Sequence, residues 1–133
     1  PAPRPAAIRL CSGAGFYRGD LLTHEIEDAT PLGTLLQKTQ LAEKRWKAVG
    51  GTIRRFHDHG ILHSDLNAAN ILIQNEKIFL IDFDKAEIRT PGPWKNANLE
   101  RLERSLNKWH RQEETFHFTT SDWQSLREGY NAA

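Results

Sequence analysis

An α+β fold is predicted by three features of the sequence. Short apolar stretches punctuated by glycine open the chain, longer segments carry apolar residues at helical spacing, and two apolar runs flank a polar turn midway. Ile8 to Cys11 and Phe16 to Ile26, set apart by Ser12-Gly13-Ala14-Gly15 and broken at Gly19-Asp20, read as a small leading β element. From Leu41 to His59, apolar side chains at Leu41, Trp46, Val49, Ile53 and Phe56 fall on one helical stripe, and Gly60 follows as the stop. Gly50-Gly51 within that stripe costs roughly 1 kcal/mol per glycine relative to alanine, which predicts a kink or close packing there. Ile61-Leu62, a polar loop, Ile71-Leu72-Ile73, Gln74-Asn75-Glu76-Lys77 and Ile78-Phe79-Leu80-Ile81 then predict a β-hairpin entered from a loop. A second amphipathic helix begins near Asn98 as its N-cap, with Leu99, Leu102, Leu106 and Trp109 on one face. A last helix runs from Ser121, with Asp122 early in it, through Trp123 and Leu126 to Gly129. Trp109 and Trp123 lie on apolar stripes and are expected in the core, whereas Trp94, between Pro93 and Lys95, is expected at the surface.

Composition narrows the function classes. The chain has 133 residues, one domain's worth, and 38% apolar content suffices for a core. Eighteen Lys plus Arg against 17 Asp plus Glu leave a formal net charge of +1, so no global field points to nucleic acid as partner. The single cysteine, Cys11, permits no intramolecular disulfide, which fits a reducing cytosol. Apolar runs such as Ile78-Phe79-Leu80-Ile81 hold about four residues, far below the ~20 of a membrane-spanning helix. Pro1-Ala2-Pro3-Arg4-Pro5-Ala6-Ala7 has neither an initiator Met nor the order of a signal peptide, and the chain is expected to be part of a longer product.

The chemistry is concentrated in His63-Ser64-Asp65-Leu66-Asn67-Ala68-Ala69-Asn70, followed after the hairpin by Ile81-Asp82-Phe83-Asp84. Alone, a His-x-Asp in a loop is ordinary surface polarity, and an Asp at a strand end is often a turn residue. Together and in this order they resemble the catalytic loop and metal-binding motif of the protein-kinase-like fold, H-x-D-x-x-x-x-N and then D-F-G. Phosphoryl transfer from a nucleotide needs a carboxylate beside the attacking hydroxyl and oxygen ligands that hold magnesium against the phosphates. The resemblance implies the first role for Asp65 and the second for Asn70 and Asp82. A carboxylate titrating near ~4 is a weak base, so positioning and electrostatics are expected to outweigh basicity. His63 is expected to fix the loop backbone or pack near Phe83 rather than to titrate.

More closely, the loop through Leu72, the segment Leu80-Ile81-Asp82-Phe83-Asp84-Lys85 and Asn98-Leu99-Glu100-Arg101-Leu102-Glu103-Arg104-Ser105-Leu106 resemble the 3-deoxy-D-manno-octulosonic acid (Kdo) kinases, within the lipopolysaccharide-core kinases of Gram-negative bacteria. Asn67 stands where protein kinases carry Lys, and Asp84 where they carry Gly; both departures are similar to this sugar-kinase group. The resemblance, from about Phe16 to Tyr130, implies ATP-dependent phosphorylation of a Kdo hydroxyl, the 4-hydroxyl, on Kdo-lipid A at the cytoplasmic face of the inner membrane. It implies a helical C-terminal lobe over residues 31–133 and a remnant of the N-terminal lobe and hinge over 1–30.

By the same resemblance, Thr23 to Leu32 is similar to the fifth strand and hinge, with His24 as gatekeeper and the backbone of Glu25 and Glu27 on the adenine edge. An edge strand running into a helix start explains those residues equally well. Asn67 would touch a phosphate or the sugar, and Leu72 and Ile81 would give adenine an apolar floor and wall. The run Lys85, Arg89, Lys95, Arg101, Arg104, Lys108 and Arg111 reads either as a solvated helix face or as contacts to the Kdo carboxylate or lipid phosphates. The phosphate-covering glycine loop, the strand Lys and its helix Glu have no place here, since Gly13-Ala14-Gly15 is too short. Most of the N-terminal lobe is therefore expected to be missing, and the chain alone to bind nucleotide weakly and turn over slowly or not at all. A phosphotransferase of the aminoglycoside or choline type, and a non-catalytic kinase-like binding domain, remain as alternatives.

Overall fold

The computed structural model describes residues 28–83 and 86–133, and the backbone of Ile8–Cys11 and Ala14–Phe16. Among these residues the fold is α+β. Strands β1 (Ile8–Cys11), β2 (Ala14–Phe16) and β3 (Thr30–Pro31) precede helices α1 (Leu32–Lys38) and α2 (Glu43–Asp58). Strands β4 (Ile61–Leu62), β5 (Ile71–Gln74), β6 (Lys77–Leu80) and β7 (Glu87–Ile88) follow, then α3 (Trp94–Gln112) and α4 (Thr120–Ala132). One sheet has the order β1-β2-β6-β5-β3, with β2 and β6 parallel and its other pairs antiparallel; β4 and β7 form a second pair.

The predicted hairpin forms with Gln74 opposite Lys77, and Asn75 takes the turn with a φ of 53°, a conformation asparagine tolerates. Its strands are buried on both faces, which is why they read as continuous apolar runs rather than alternating ones.

Helix α2 buries Trp46, Val49, Ile53 and Phe56, the predicted stripe, while Leu41 is buried just ahead of it. Gly60, with a φ of 74°, takes the left-handed position that ends the helix. Helix α2 runs uninterrupted through the glycine pair. Gly50 instead lets the backbone of α4 come against it, since a Cβ there would overlap the Leu126 carbonyl, and Gly129 is crowded in the same way by Lys47. Close packing is the outcome, and it fixes α4 onto α2.

Two helices differ from the sequence reading. The sequence reading holds only the start of helix α1, as the edge strand running into a helix start by Leu32; the helix follows β3 directly and extends to Lys38, burying Leu32 and Leu36. Helix α3 begins at Trp94, directly after Pro93, so Asn98 lies inside the helix and is not its N-cap. Proline's fixed φ suits a helix start, and Asn98 is only 4% exposed, committed to the interior rather than to a cap. Helix α4 starts one residue early, at Thr120, with Thr119 and Asp122 forming a capping box.

Trp109 and Trp123 pack partly buried against the core, as their stripes predicted. Trp94 is half-buried, its ring centroid 5.0 Å from that of His57, so the surface expectation holds only in part. Residues 1–7, 12–13, 17–27, 84 and 85 lie outside the described residues. The expectations for His24, Glu25, Glu27, Asp84 and Lys85 fall there. No helix among the described residues is long and apolar enough to cross a membrane.

Candidate functional site

The loop between β4 and β5 carries the motif, and its shape is fixed from within and from both sides. Leu66 and Ala68 point into the core with no exposed surface. The Ala68 N–H donates to Ser105 Oγ on α3 at 3.0 Å, and its carbonyl accepts from the Gly33 N–H on α1 at 3.0 Å. Asn67 folds back over its own loop, its amide oxygen accepting from the N–H groups of Ala69 (2.8 Å) and Asn70 (3.1 Å). These bonds replace the ladder that a loop lacks.

Asp65 sits half-exposed at the loop's turn and is held by side chains from two directions. Its Oδ1 accepts from Asn67 Nδ2 at 3.2 Å and from the Arg101 guanidinium of α3 at 3.2 Å. Asn70, only 8% exposed, donates through Nδ2 to the Asp65 carbonyl at 2.9 Å and more weakly to Oδ2 at 3.4 Å. The Asn70 amide nitrogen is thereby committed to Asp65. Its amide oxygen accepts no hydrogen bond among the described residues.

The strand end that leads to Asp82 is tied to the same loop. The Ile81 N–H donates to the Asn70 carbonyl at 3.0 Å, and His63 Nε2 donates to the Ile81 carbonyl at 2.7 Å. The other ring nitrogen of His63 accepts the Asp65 N–H at 3.1 Å. That N–H can only donate, so His63 is the neutral Nε2–H tautomer. Burial, the largest influence, lowers its pKa from 6.5, against the opposing pull of the Ile81 carbonyl and of the Asp65 and Asp82 charges. The ring lies 4.7 Å from that of Phe83, which stacks in turn on Phe56 at 5.4 Å. His63 thus does both things expected of it: it fixes the loop and packs on Phe83. Asp82 is exposed and adopts a φ of 66°, a left-handed conformation that costs a non-glycine residue about 1–2 kcal/mol.

A buried polar chain that sequence reasoning missed supports this arrangement from behind. Asn98 Nδ2 donates to the His63 carbonyl at 2.8 Å, and Asn98 Oδ1 accepts from His57 Nε2 at 2.9 Å. His57 Nδ1 then accepts from the Tyr130 hydroxyl at 2.7 Å. The direction of donation is set at the His63 end, because a carbonyl can only accept. Burial lowers the His57 pKa and raises that of Tyr130, so both remain neutral and keep the chain intact. Of this chain only Asn98 and His63 stand out in the sequence, and Asn98 for a different role. The polar residue on the buried face of each helix was the available signal.

An open cleft of about 520 Å³ adjoins Asp65 and Asn67, walled by Arg101, Arg104, Lys108 and Trp109 of α3. Neither Asn70 nor Asp82 lines it, and neither do Leu72, which is buried between its neighbouring strands, or Ile81, which is half-buried. No group of three His, Cys, Asp or Glu side chains able to hold a metal occurs among the described residues. Magnesium does not need one. It takes one or two protein oxygens, keeps water, and completes its shell with substrate phosphates. An amide oxygen with no competing donor among the described residues and an exposed carboxylate, carried by adjoining backbone, fit that donor set.

Comparison with known proteins gives the family. The Lipopolysaccharide kinase (Kdo/WaaP) family model matches residues 1–130, and the chain belongs to that family. It is 43% identical over 129 residues to a protein of Photobacterium profundum named 3-deoxy-D-manno-octulosonic acid kinase, covering 96% of this chain and 54% of the relative. Proteins of the same name from Actinobacillus succinogenes (42% over 135 residues, 98% of this chain and 56% of the relative) and Pasteurella multocida (44% over 136 residues, 99% and 56%) are similar to it. The chain spans about half the length of the curated relatives it matches.

Proposed function

We propose that this chain forms the catalytic-loop half of a kinase that transfers the γ-phosphoryl group of ATP to a hydroxyl of Kdo, the 4-hydroxyl, on Kdo-lipid A. One observation carries the reading. In a chain of the Kdo/WaaP family, Asp65 and Asn70 meet on a loop that His63 ties to the strand end entering Asp82. In this reading residues 31–133 are the C-terminal lobe, and residues 1–30 belong to the N-terminal lobe and hinge. The enzyme works in the cytoplasm, peripheral to the inner membrane.

Asp65 is the catalytic carboxylate. It orients the acceptor hydroxyl and takes its proton as the new O–P bond forms, while the bond from Pγ to the β–γ bridging oxygen of ATP breaks and ADP leaves. Three side-chain donors, Asn67, Asn70 and Arg101, fix the carboxylate beforehand, so little reorganisation is left to the reaction. Asn70 Oδ1 and the Asp82 carboxylate would hold magnesium, which would neutralise charge on the phosphates. The backbone of Glu25 and Glu27 and the side chains of Leu72 and Ile81 contact the nucleotide. Asn67 contributes mainly by shaping the loop around the phosphate side.

The test is phosphoryl transfer from ATP to a soluble Kdo glycoside by the protein in its full natural length. Asp65→Asn should lower turnover by about 10²–10⁴ with little change in ATP binding. Turnover within a few-fold of the parent would remove Asp65 from the mechanism.

A further inference from the structure

Three places outside the reacting atoms stand out: the buried Tyr130–His57–Asn98 chain, the exposed Ile88 on β7, and the cationic wall of the cleft beside Asp65. The wall reaches furthest toward function. Residues 101, 104, 105, 108, 109 and 112 recur at three- and four-residue steps, so one face of α3 forms it.

Among the described residues the charges on that wall are not balanced. Arg101, Arg104 and Lys108 face two carboxylates, those of Asp65 and Glu113. Arg101 is paired with Asp65, and Glu113 accepts a hydrogen bond from Gln37. Arg104 and Lys108 have no ion-pair or hydrogen-bond partner among the described residues, although Glu100 stands one turn before Arg104. Like charges four residues apart on a helix repel, so this pair costs stability that a bound anion would restore.

We infer that Arg104 and Lys108 clasp the carboxylate of the acid sugar while its hydroxyl lies at Asp65. This rests on the proposed function, whose acceptor is by name an onic acid. Arg104 lies three residues beyond Arg101, about 4.5 Å along the helix axis, and Lys108 about 6 Å farther. That spacing suits a single pyranose ring bridging Asp65 and the two cations. The fork of Arg104 matches a carboxylate in two-point contact, and Lys108 adds a point charge. Arg101 stays with Asp65 as a positioning residue. The clasp makes the cleft select a sugar acid over a neutral sugar, which the carboxylate–amide pair of the loop cannot do.

The experiment compares a soluble Kdo glycoside with its methyl ester, in binding and in turnover, using the full-length protein and its Arg104→Gln/Lys108→Gln variant. Both side chains are exposed, so the variant should fold. The parent should favour the acid by about tenfold or more, and the variant should lose that preference with its KM for ATP unchanged. A variant that keeps the parent's acid-to-ester ratio, or a parent that handles both equally well, overturns the clasp and leaves the kinase reading standing. A parent that phosphorylates neither compound overturns the reading itself, and the clasp with it.

Discussion

Replacing Asn98 with alanine should cost this chain a large share of its stability, although Asn98 touches neither the cleft nor the carboxylates. The side chain makes two buried hydrogen bonds, to the His63 carbonyl at 2.8 Å and to His57 Nε2 at 2.9 Å. Alanine leaves a carbonyl and an N–H without partners in the interior, and each stranded group costs about 1–3 kcal/mol. The sum, about 2–6 kcal/mol, compares with a total stability of about 5–15 kcal/mol for a domain of this kind. With a urea m-value of about 2 kcal/mol/M, the midpoint should fall by about 1–3 M. The His63 carbonyl also begins the loop, so the backbone amide resonances of Asp65 and Asn70 should move. Asn98→Asp keeps an acceptor for His57 but sets an oxygen against the His63 carbonyl, and should rescue little. Urea titration and amide spectra of the three proteins decide the matter. A loss below about 1 kcal/mol, with the loop resonances unmoved, would refute the idea that this buried chain holds the loop.

Four further outcomes follow from the same geometry. Burial lowers the pKa of both His57 and His63 from 6.5, so below that pH the unfolded chain takes up protons that the folded one refuses. Stability should be level above about pH 6.5 and fall on acidification, by at most about 1.4 kcal/mol per pH unit for each imidazole, until the folded values are reached; identical urea midpoints at about pH 7.5 and 5.5 would contradict this. Gly50→Ala should cost about 3 kcal/mol or more, because the added methyl meets the Leu126 carbonyl and α4 must move, whereas Gly51→Ala, whose Cβ finds ordinary contacts 3.8 Å away or farther, should be tolerated; urea unfolding of the two variants reads the difference. Asp82→Gly relieves a φ of 66°, so it should hold or raise the melting temperature while abolishing magnesium-dependent nucleotide binding, a split that calorimetry and thermal melts can read together. Thr119→Ala breaks the capping box of α4 and should cost about 1 kcal/mol in urea unfolding.

Periodicity made the scaffold legible where a single rule governs. The hairpin between Ile71 and Leu80 and the stripe of α2 stand where their apolar spacing put them, because burial dictates both patterns. The motif from His63 to Asn70 was readable for another reason: its chemistry demands fixed residue types at fixed steps. Pairings across long loops were not readable. Asp65 meets Arg101 36 residues on, and His57 meets Asn98 after 41 and Tyr130 after 73. Asn98 shows how a local rule misleads, since asparagine near a helix start is a good cap. Tertiary demand for a donor at the His63 carbonyl took it inside the helix instead. That Arg104 and Lys108 lack partners among the described residues was equally hidden, because a basic run on a helix reads the same whether its charges are solvated or face a cleft.

The central claim is that Asp65, Asn70 and Asp82 surround one divalent ion and the phosphates of one nucleotide. Manganese in place of magnesium, added with ATP to isotopically labelled protein, tests it without requiring turnover and even when binding is weak. The account predicts that the amide signals around Asn70 and Asp82 broaden first and most, with Asp65 close behind, and that Asp82→Asn abolishes the effect. Broadening centred on another surface, or signals around Asn70 and Asp82 that stay sharp while ATP and manganese bind elsewhere, would contradict it.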